Sequence, residues 1–236
     1  MEKSYLVFDI ETVPECGPGE EEKKEDEGKS FPPTFRHKII TIGVLWLSER
    51  FYFKKLGIFS EGKEEKAVVE DFNAFVARNK PVLVSYNGRR FDLPVIMLRS
   101  MKYGLNMEWF VKTSEYSRRY SPTKHLDLCD ILAEYGAASY TSLDNMSHLV
   151  GLAGKKGMEG SKVQQEFEKG NLDKIRNYCL HDVVLTGCVL LRYLLVGGDL
   201  TPEAYNISLD SCIAGIKDDE RLADFISTDE LAALKV

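Results

Sequence analysis

The stretch SYLVFDIET, residues 4 to 12, is a short apolar run with aromatic and β-branched residues that closes on two acids. This composition is typical of a buried β-strand. Because side chains alternate across a strand, Asp9 and Glu11 project from one face, and Phe8 and Ile10 from the other. Adjacent carboxylates repel each other unless a cation lies between them. Two acids at a strand end are more often simply solvated, so the rest of the chain has to decide between these interpretations.

The elements outside this strand alternate in a way that predicts a mixed sheet. Two apolar runs separated by little more than Ser48-Glu49 indicate a hairpin, and Asn171 can cap a long helix near the end of the chain. Three antiparallel strands followed by parallel strands that alternate with helices describe an α/β fold with helices on both faces of the sheet. We predict strands at 39–47, 50–54, 81–86 and 124–128, and helices at 63–78, 91–103, 142–150 and 171–195.

We predict one main domain, residues 1–205, with residues 206–236 as a C-terminal appendage packed on it. Between Pro14 and Arg36 the chain contains four prolines, three glycines and the charge run GEEEKKEDEGK (19–29). Such a composition predicts a long acidic surface loop over residues 14–36.

The overall composition narrows the class of protein. The chain has 236 residues, 44% hydrophobic, and a net charge of -6, as in an ordinary globular protein. The negative charge argues against binding nucleic acid through a broad basic surface, but it is compatible with a nuclease whose carboxylates hold metal ions. Five cysteines without a CxxC pair indicate neither a zinc cluster nor a disulfide framework. With no signal peptide and no uninterrupted apolar stretch of about 18 residues, we expect a cytoplasmic protein without a membrane partner.

Three further side chains extend the acidic pattern. Asp92 begins a predicted helix, where a carboxylate also suits an N-cap, and it follows a buried strand. Ligands of α/β sheets bind at the carboxyl ends of strands, so we expect Asp92 close to Asp9 and Glu11. Tyr178 and Asp182 are four residues apart on a predicted helix and therefore share a face. An exposed aspartate beside a packed tyrosine would produce the same spacing.

Taken together, the acids indicate a metal site. Hard cations such as Mg²⁺ and Mn²⁺ prefer carboxylate oxygens and water. Four carboxylates, without a cluster of histidines or cysteines, suit a site that holds two divalent cations for phosphoryl transfer.

Three segments then carry a resemblance to a known family. DIET (9–12), YNGRRFDLP (86–94) and YCLHD (178–182) resemble, in order and separation, the three exonuclease motifs of the DEDD superfamily, which has an RNase H-like fold. The tyrosine four residues before the last aspartate is similar to the DEDDy branch, and Asn177 stands where the DEDDh branch has histidine. More narrowly, the chain resembles stand-alone predicted 3'-5' exonucleases related to the exonuclease domain of family B DNA polymerases, over roughly residues 4–205.

The resemblance implies a two-metal 3'-5' exonuclease that removes nucleoside monophosphates from a free 3' end. In that pattern Asp9 bridges two divalent cations, Glu11 and Asp182 hold the one that activates water, and Asp92 completes the other. A tyrosine hydroxyl, with an ordinary pKa of about 10, is a poor base at neutral pH. Tyr178 is therefore expected to orient the attacking water.

Substrate contacts are expected next to the acids. Thr12, Asn87 and Phe91 are candidates for the terminal nucleotide, and basic side chains are candidates for the phosphate backbone. The expected substrate is single-stranded nucleic acid with a free 3' end, DNA favoured over RNA. Asp127, on its predicted strand, is expected to have a structural role, and His181 is expected to be structural or on the surface. The basic candidates are Arg89, Arg90, Lys155, Lys156 and Lys162.

Three other functions are compatible with these features. An endonuclease or RNase H-type ribonuclease shares the fold and the acids, but the pairing of Tyr178 with Asp182 favours an exonuclease. A non-catalytic nucleic-acid-binding module would keep the fold with remnant acids, and their completeness speaks against it. A structural protein with acids at strand ends by chance is the third.

Overall fold

The computed structural model describes residues 2–15, 32–120, 123–154 and 158–236. The charge run at 19–29, Cys16, Lys155 and Lys156 lie outside these residues. The strands are β1 (Tyr5–Pro14), β2 (His37–Leu47), β3 (Phe53–Ile58), β4 (Val82–Ser85) and β5 (His125–Asp127). The helices are α1 (Glu65–Asn79), α2 (Asp92–Tyr103), α3 (Glu108–Val111), α4 (Ser114–Ser117), α5 (Leu128–Leu132), α6 (Leu143–Val150), α7 (Val163–Glu168), α8 (Leu172–Val196), α9 (Pro202–Ile216) and α10 (Thr228–Ala232).

The five strands form one mixed sheet in the order β3-β2-β1-β4-β5. β3, β2 and β1 pair antiparallel, whereas β1, β4 and β5 are parallel. The carboxyl ends of the three parallel strands therefore meet at one edge of the sheet. This arrangement confirms the predicted RNase H-like α/β fold.

Side chains of β1 alternate between two cores. Tyr5 and Val7 belong to the core under α8 and α9, whereas Leu6, Phe8 and Ile10 belong to the core under α1 and α2. The predicted period-two pattern is confirmed, with helices on both faces of the sheet. The face that carries Tyr5 and Val7 is the one on which the acids of β1 continue.

The second strand of the hairpin lies further along the chain than predicted. The sequence indicated residues 50–54, but β3 begins at Phe53, because residues 48 to 52 close a turn. The Ser48 amide donates to the Tyr52 carbonyl oxygen at 2.8 Å, and the Phe51 amide to the Ser48 carbonyl oxygen at 3.0 Å. Phe51 has a φ of 61°, an unusual value for an aromatic residue, so the sequence did not indicate the turn.

Regular structure occupies both described ends of the predicted loop 14–36, so the loop is shorter than predicted. Pro14 still pairs with His37 in the sheet, and Thr34–Arg36 forms a 3-10 turn. The Glu15 amide donates to the carbonyl oxygen of Arg36 at 2.6 Å, so the two ends of the segment are held side by side.

α8 is the central helix of the molecule. With 25 residues, the helix is long and apolar enough to cross a membrane by length and composition, with a mean hydropathy of 1.7 over an 18-residue window. However, 78% of that window is buried inside the protein. Its apolar length, which the sequence analysis did not single out, is that of a core helix enclosed by the sheet and by α6 and α9. Asn171 is at the N-cap position but makes no capping bond, because its side-chain amide donates to Glu166 at 2.7 Å instead.

The C-terminal region packs on the sheet and on α8. The Thr201 hydroxyl caps α9 by accepting a hydrogen bond from the Ala204 amide, and the helix begins at Pro202. The predicted domain boundary at residue 205 therefore falls inside a helix. α9 packs against β3, where a Cβ on Gly215 would lie 2.3 Å from the ring of Phe53, which is closer than real contacts allow. The segment 206–236 is thus joined to the main domain through a continuous helix.

Candidate active site

Three of the four predicted acids form one compact cluster. Asp9 and Glu11 come from the end of β1 and Asp182 from the middle of α8, and each offers a carboxylate oxygen within 4.8 Å of the others. Glu11 and Asp182 are buried, whereas Asp9 is half-buried. Three carboxylates so close together in a low-dielectric region repel one another, which favours a bound cation.

A glycine lets α8 approach the strands closely enough to form this cluster. Gly43 pairs with Asp9 in the sheet, and a Cβ on Gly43 would lie 2.8 Å from Cys179 Sγ and 3.3 Å from the backbone of Cys179. The thiol of Cys179 lies 3.4 Å from the Asp9 carbonyl oxygen and 3.6 Å from Asp9 Oδ2, so its single hydrogen is within reach of both acceptors. Cys179 therefore positions Asp9. The sequence did not indicate this role of Cys179. Its only signal is its place on α8, beside Tyr178 and three residues before Asp182.

Asp92 approaches the same place from α2. Its Oδ1 accepts the amide of Ile10 at 3.2 Å, so the carboxylate lies against β1 between the positions of Asp9 and Glu11. It is not an N-cap, because Phe91 occupies that position and Asp92 is the first residue of the helix. Burial, and secondly the negative charge of Asp127, raise the pKa of Asp92 above its usual range.

Tyr178 lies one turn before Asp182 on α8 and is buried. Its ring packs in a small apolar cluster with Val13, from the end of β1, and Val163, the first residue of α7. Phe225 completes the same cluster from the C-terminal region. The tyrosine is thus fixed beside the acids by three separate parts of the chain.

Asp127, which was expected to have a structural role, fixes the backbone of the Asn87–Phe91 loop. Its carboxylate accepts the amides of Asn87 and Arg89, each at 2.8 Å, and that of Asp130 at 3.3 Å. Asn87 has a φ of 70°, a left-handed value that asparagine tolerates better than most residues. The loop between β4 and α2 is therefore fastened to the carboxyl end of β5.

Of the predicted phosphate ligands, Arg89 is already engaged with the protein. Its guanidinium donates to the carbonyl oxygens of Tyr116, Ser117, Arg118 and His125, at 2.7 to 3.4 Å. Arg89 therefore ties two loops together in this structure instead of presenting its donors to a ligand. Arg90 and Lys162, by contrast, are exposed.

Thr12 and Phe91 are brought together by a histidine that the sequence analysis did not single out. The Thr12 hydroxyl and His37 Nδ1 are 2.8 Å apart, and the His37 ring meets the Phe91 ring edge-on at 4.8 Å. His37 also lies 3.0 Å from the Pro32 carbonyl oxygen through Nε2. Because Thr12 follows Glu11 and Phe91 precedes Asp92, this row of side chains borders the acids.

His181, which was expected to be structural or on the surface, lies in the core. The residue is fully buried, and its ring lies 5.3 Å from that of Phe225. It belongs to the packing of α8 and not to the surface. A cavity of about 600 Å³ elsewhere, between α1, α3 and α4, is lined by Asn73, Trp109 and Tyr116 and by none of the four acids, so it is distinct from the active site.

Comparison with known proteins agrees with this geometry. The family of predicted 3'-5' exonucleases related to the exonuclease domain of PolB matches residues 29–228. The chain belongs to this family. Its family is one of predicted 3'-5' exonucleases, and its carboxylate cluster could hold a metal ion. The family membership favours the exonuclease over the endonuclease and the non-catalytic module.

A solved structure shows the same fold. The family B DNA polymerase from the hyperthermophilic archaeon Pyrobaculum calidifontis is similar with a TM-score of 0.57 and 21% identity, over 98% of this chain and 27% of that one. Exonuclease I in complex with the inhibitor BCBP has a TM-score of 0.44 and 12% identity, over 90% and 44% of the two chains. This chain thus spans about a quarter of the polymerase and less than half of exonuclease I. No curated protein matches it.

Proposed function

We propose that the exonuclease removes nucleoside monophosphates from the 3' end of single-stranded DNA, with two divalent cations, Mg²⁺ or Mn²⁺, at the active site. The observation that carries this proposal is the convergence of Asp9, Glu11 and Asp182 within 4.8 Å, with Asp92 against the intervening residue of β1.

The donor set fits the proposed ions. The acids offer only hard oxygen ligands, which Mg²⁺ and Mn²⁺ prefer. Asp9, Glu11 and Asp182 would hold one ion, and Asp9 with Asp92 the other. When bound, the ions would activate water and stabilise the leaving 3'-oxygen. Cys179 keeps the shared ligand Asp9 in place through its two contacts.

The side chains around the acids have the other proposed roles in the reaction. Tyr178 orients the attacking water with its hydroxyl, and its buried ring among Val13 and Val163 keeps that hydroxyl in one position. A fixed donor needs no reorganisation when the reaction occurs. The enclosed setting of Asp182 and Glu11 strengthens every charge interaction at the site.

The terminal nucleotide would occupy the border of the site. Thr12 and Phe91, joined through His37, lie on one side of the acids, and Asn87 lies on the loop that leads to Asp92. A ring such as that of Phe91 can stack on a base of any identity. Exposed Lys162, next to the α7 residue that covers Tyr178, would contact a phosphate.

The test is hydrolysis of 5'-labelled single-stranded DNA and RNA of equal sequence with Mn²⁺, Mg²⁺ or EDTA. We expect a ladder that shortens from the 3' end of DNA, requires the metal and disappears in Asp9→Ala. Asp218→Ala, which removes an aspartate whose side chain is 88% exposed, is the matched control and should cleave like the wild type. Folded, metal-loaded protein that cleaves neither strand would overturn the proposal, and faster cleavage of RNA would overturn its DNA part.

A further inference from the structure

A cluster of aromatic and arginine side chains lies beside the active site and has no part in the chemistry proposed above. The Arg90 guanidinium lies over the Tyr140 ring, 4.7 Å from its centroid. The Arg119 guanidinium lies 5.4 Å from the centroid of Tyr120, whose ring meets that of Tyr135 at 5.4 Å and 66°. We call these five residues the arginine–tyrosine platform.

The rings of the platform are accessible and yet held in position. Tyr120 is 71% exposed and Tyr140 39% exposed, unusual for large aromatic side chains. Arg119 is fixed by Asp130, to which its Nε and Nη2 donate at 2.7 and 2.6 Å, and it also donates to the Tyr140 hydroxyl at 3.1 Å. A ligand that stacks on these rings therefore meets a surface that is already ordered, which lowers the entropy cost of binding.

The backbone under the platform is strained. Glu134 and Tyr135 have φ values of 47° and 56°, a left-handed conformation that is unfavourable for residues other than glycine. The Tyr135 carbonyl oxygen accepts a bond from Arg119 at 3.3 Å, which helps to hold this conformation. Strained backbone persists where the surroundings enforce it, and it concentrates at functional sites.

The platform is joined to the metal-binding residues by short connections. Arg90 stands two residues before Asp92, so the two Cα atoms are at most about 7 Å apart. Arg89 binds the carbonyl oxygens of Tyr116, Ser117 and Arg118, which fastens the segment leading to Tyr120 to the loop of Asp92. The loop of Arg90 follows β4, and Asp130, which binds Arg119, follows β5, so both lie at the carboxyl ends of these parallel strands. A strand whose 3' end occupies the active site would therefore pass close to Arg90.

We propose that the arginine–tyrosine platform binds single-stranded nucleic acid on the 5' side of the terminal nucleotide. Bases would stack on Tyr120 and Tyr140, and Arg90 would contact a backbone phosphate. Exposed rings interleaved with arginines are what a single strand requires, since every unpaired base offers a flat face, whereas the bases of a duplex are covered. The proposal rests on the exonuclease function, of which it describes the strand-binding surface.

The first measurement separates binding from cleavage. Fluorescence anisotropy in EDTA, with labelled strands of about 16 nucleotides, is compared for the wild type, Tyr120→Leu and Arg90→Gln. Because stacking contributes substantially per base, Tyr120→Leu should weaken binding of single strands about tenfold, and duplex of the same length should bind poorly to all three. Tyr52→Leu, at the far edge of the sheet, and Arg78→Gln, exposed on α1, are matched controls and should bind like the wild type.

The second measurement uses strand length. With Mn²⁺, Tyr120→Leu should raise the KM for the long strand while leaving the hydrolysis of a dinucleotide unchanged, because the bases that would stack on Tyr120 lie further from the 3' end than a dinucleotide extends. Running DNA and RNA in parallel shows whether the platform distinguishes the sugars, and the proposal stands for whichever strand the enzyme uses.

The outcomes distinguish this proposal from the exonuclease function itself. Hydrolysis that the platform substitutions leave unchanged at every strand length, with binding equal to that of the controls, would overturn the platform and leave the exonuclease intact. Binding in EDTA that the substitutions weaken, in a protein that cleaves nothing, would support the platform and overturn the proposed chemistry.

Discussion

At the scale of single residues, Tyr178 has the most specific of the proposed roles, because only its hydroxyl distinguishes it from the apolar side chains around it. Tyr178→Phe keeps the ring that packs with Val13 and Val163 and removes the hydroxyl. We expect single-turnover hydrolysis to slow by about tenfold to a hundredfold, as the loss of one oriented hydrogen bond allows. Mn²⁺ affinity, measured by calorimetry, should be almost unchanged, since the proposed ligands are the four acids.

Tyr193→Phe, at a half-buried tyrosine further along α8, is the control and should retain full activity. Loss of Mn²⁺ binding in Tyr178→Phe would show that the residue supports the metal site instead of the water. Unchanged turnover would remove the residue from the mechanism.

Gly43 carries the second prediction at this scale, because the active site depends on its missing side chain. In Gly43→Ala the new Cβ would lie 2.8 Å from Cys179 Sγ, so α8 has to move away from β1 and β2. We expect a loss of about 1–3 kcal/mol of unfolding free energy in urea, typical of overpacking, and a larger loss of activity because Asp182 moves with α8.

Gly57→Ala on β3 is the matched control, since its Cβ would meet only the flexible end of Lys55 at 3.7 Å. Adding Cys179→Ala to Gly43→Ala removes the sulfur but not the two backbone contacts at 3.3 Å, so recovery should be partial. Wild-type stability and activity in Gly43→Ala would contradict this account of the packing.

At the scale of elements, a buried ion network joins the end of β1 to α1 and α2. Arg99 of α2 donates to Glu15 at 2.6 Å and also pairs with Glu65 of α1. Glu65 accepts in addition the amide of Ile39 at the start of β2, at 2.6 Å. These contacts hold together the elements from which Thr12, His37 and Asp92 extend.

The network predicts a pH dependence of stability. The hydrogen bond from Arg99, opposed by partial burial and reinforced by Lys102, lowers the pKa of Glu15 to about 2. A carboxyl whose pKa is lowered by folding stabilises the protein above its unfolded pKa of about 4.5. That contribution is lost as the pH falls towards 2. In urea titrations, Glu15→Gln should therefore be less stable than the wild type at pH 6, and the difference should shrink steadily below about pH 4.5.

Glu70→Gln, at an exposed acid of α1, is the control and should show no such convergence. A difference between Glu15→Gln and the wild type that stays constant down to about pH 2 would contradict the role of ionised Glu15.

Local periodicity explains how much of the site the sequence could predict. Asp9 and Glu11 are related by the alternation of a strand, and Tyr178 and Asp182 by one turn of a helix, so each pair is visible within a few residues. The contact of Gly43 with Cys179 is not visible in this way, because it depends on how α8 crosses the sheet.

The misplaced elements have a similar cause. The start of β3 depends on a turn in which Phe51 adopts a φ of 61°, which no local preference indicates. Asn171 has a residue type that suits helix caps, but the nearby Glu166 offers its side chain a different partner at 2.7 Å. Tertiary contacts decided both outcomes.

At the scale of the whole molecule, the three clustered carboxylates repel one another, and the packing of the fold has to overcome this repulsion. Three carboxylates lie within 4.8 Å in a protein whose net charge is already -6. Packing of α8 against both β1 and β2 brings Asp182 to the strand acids in spite of that repulsion. A bound cation would relieve it, so metal binding and folding stability should be coupled.

This coupling predicts a thermal shift. At a concentration of Mn²⁺ a hundred times the dissociation constant, binding adds about 2.7 kcal/mol to stability. For a domain of this size that corresponds to a rise in Tm of roughly 5–10 °C over the value in EDTA. In Asp9→Asn the rise should largely disappear because a shared ligand is lost, whereas Tm in EDTA should exceed that of the wild type because one repelling charge is gone. Asp218→Asn should behave like the wild type in both conditions. An equal Mn²⁺ shift in the wild type and Asp9→Asn would place the stabilising ion elsewhere on the protein and separate the carboxylate cluster from metal binding.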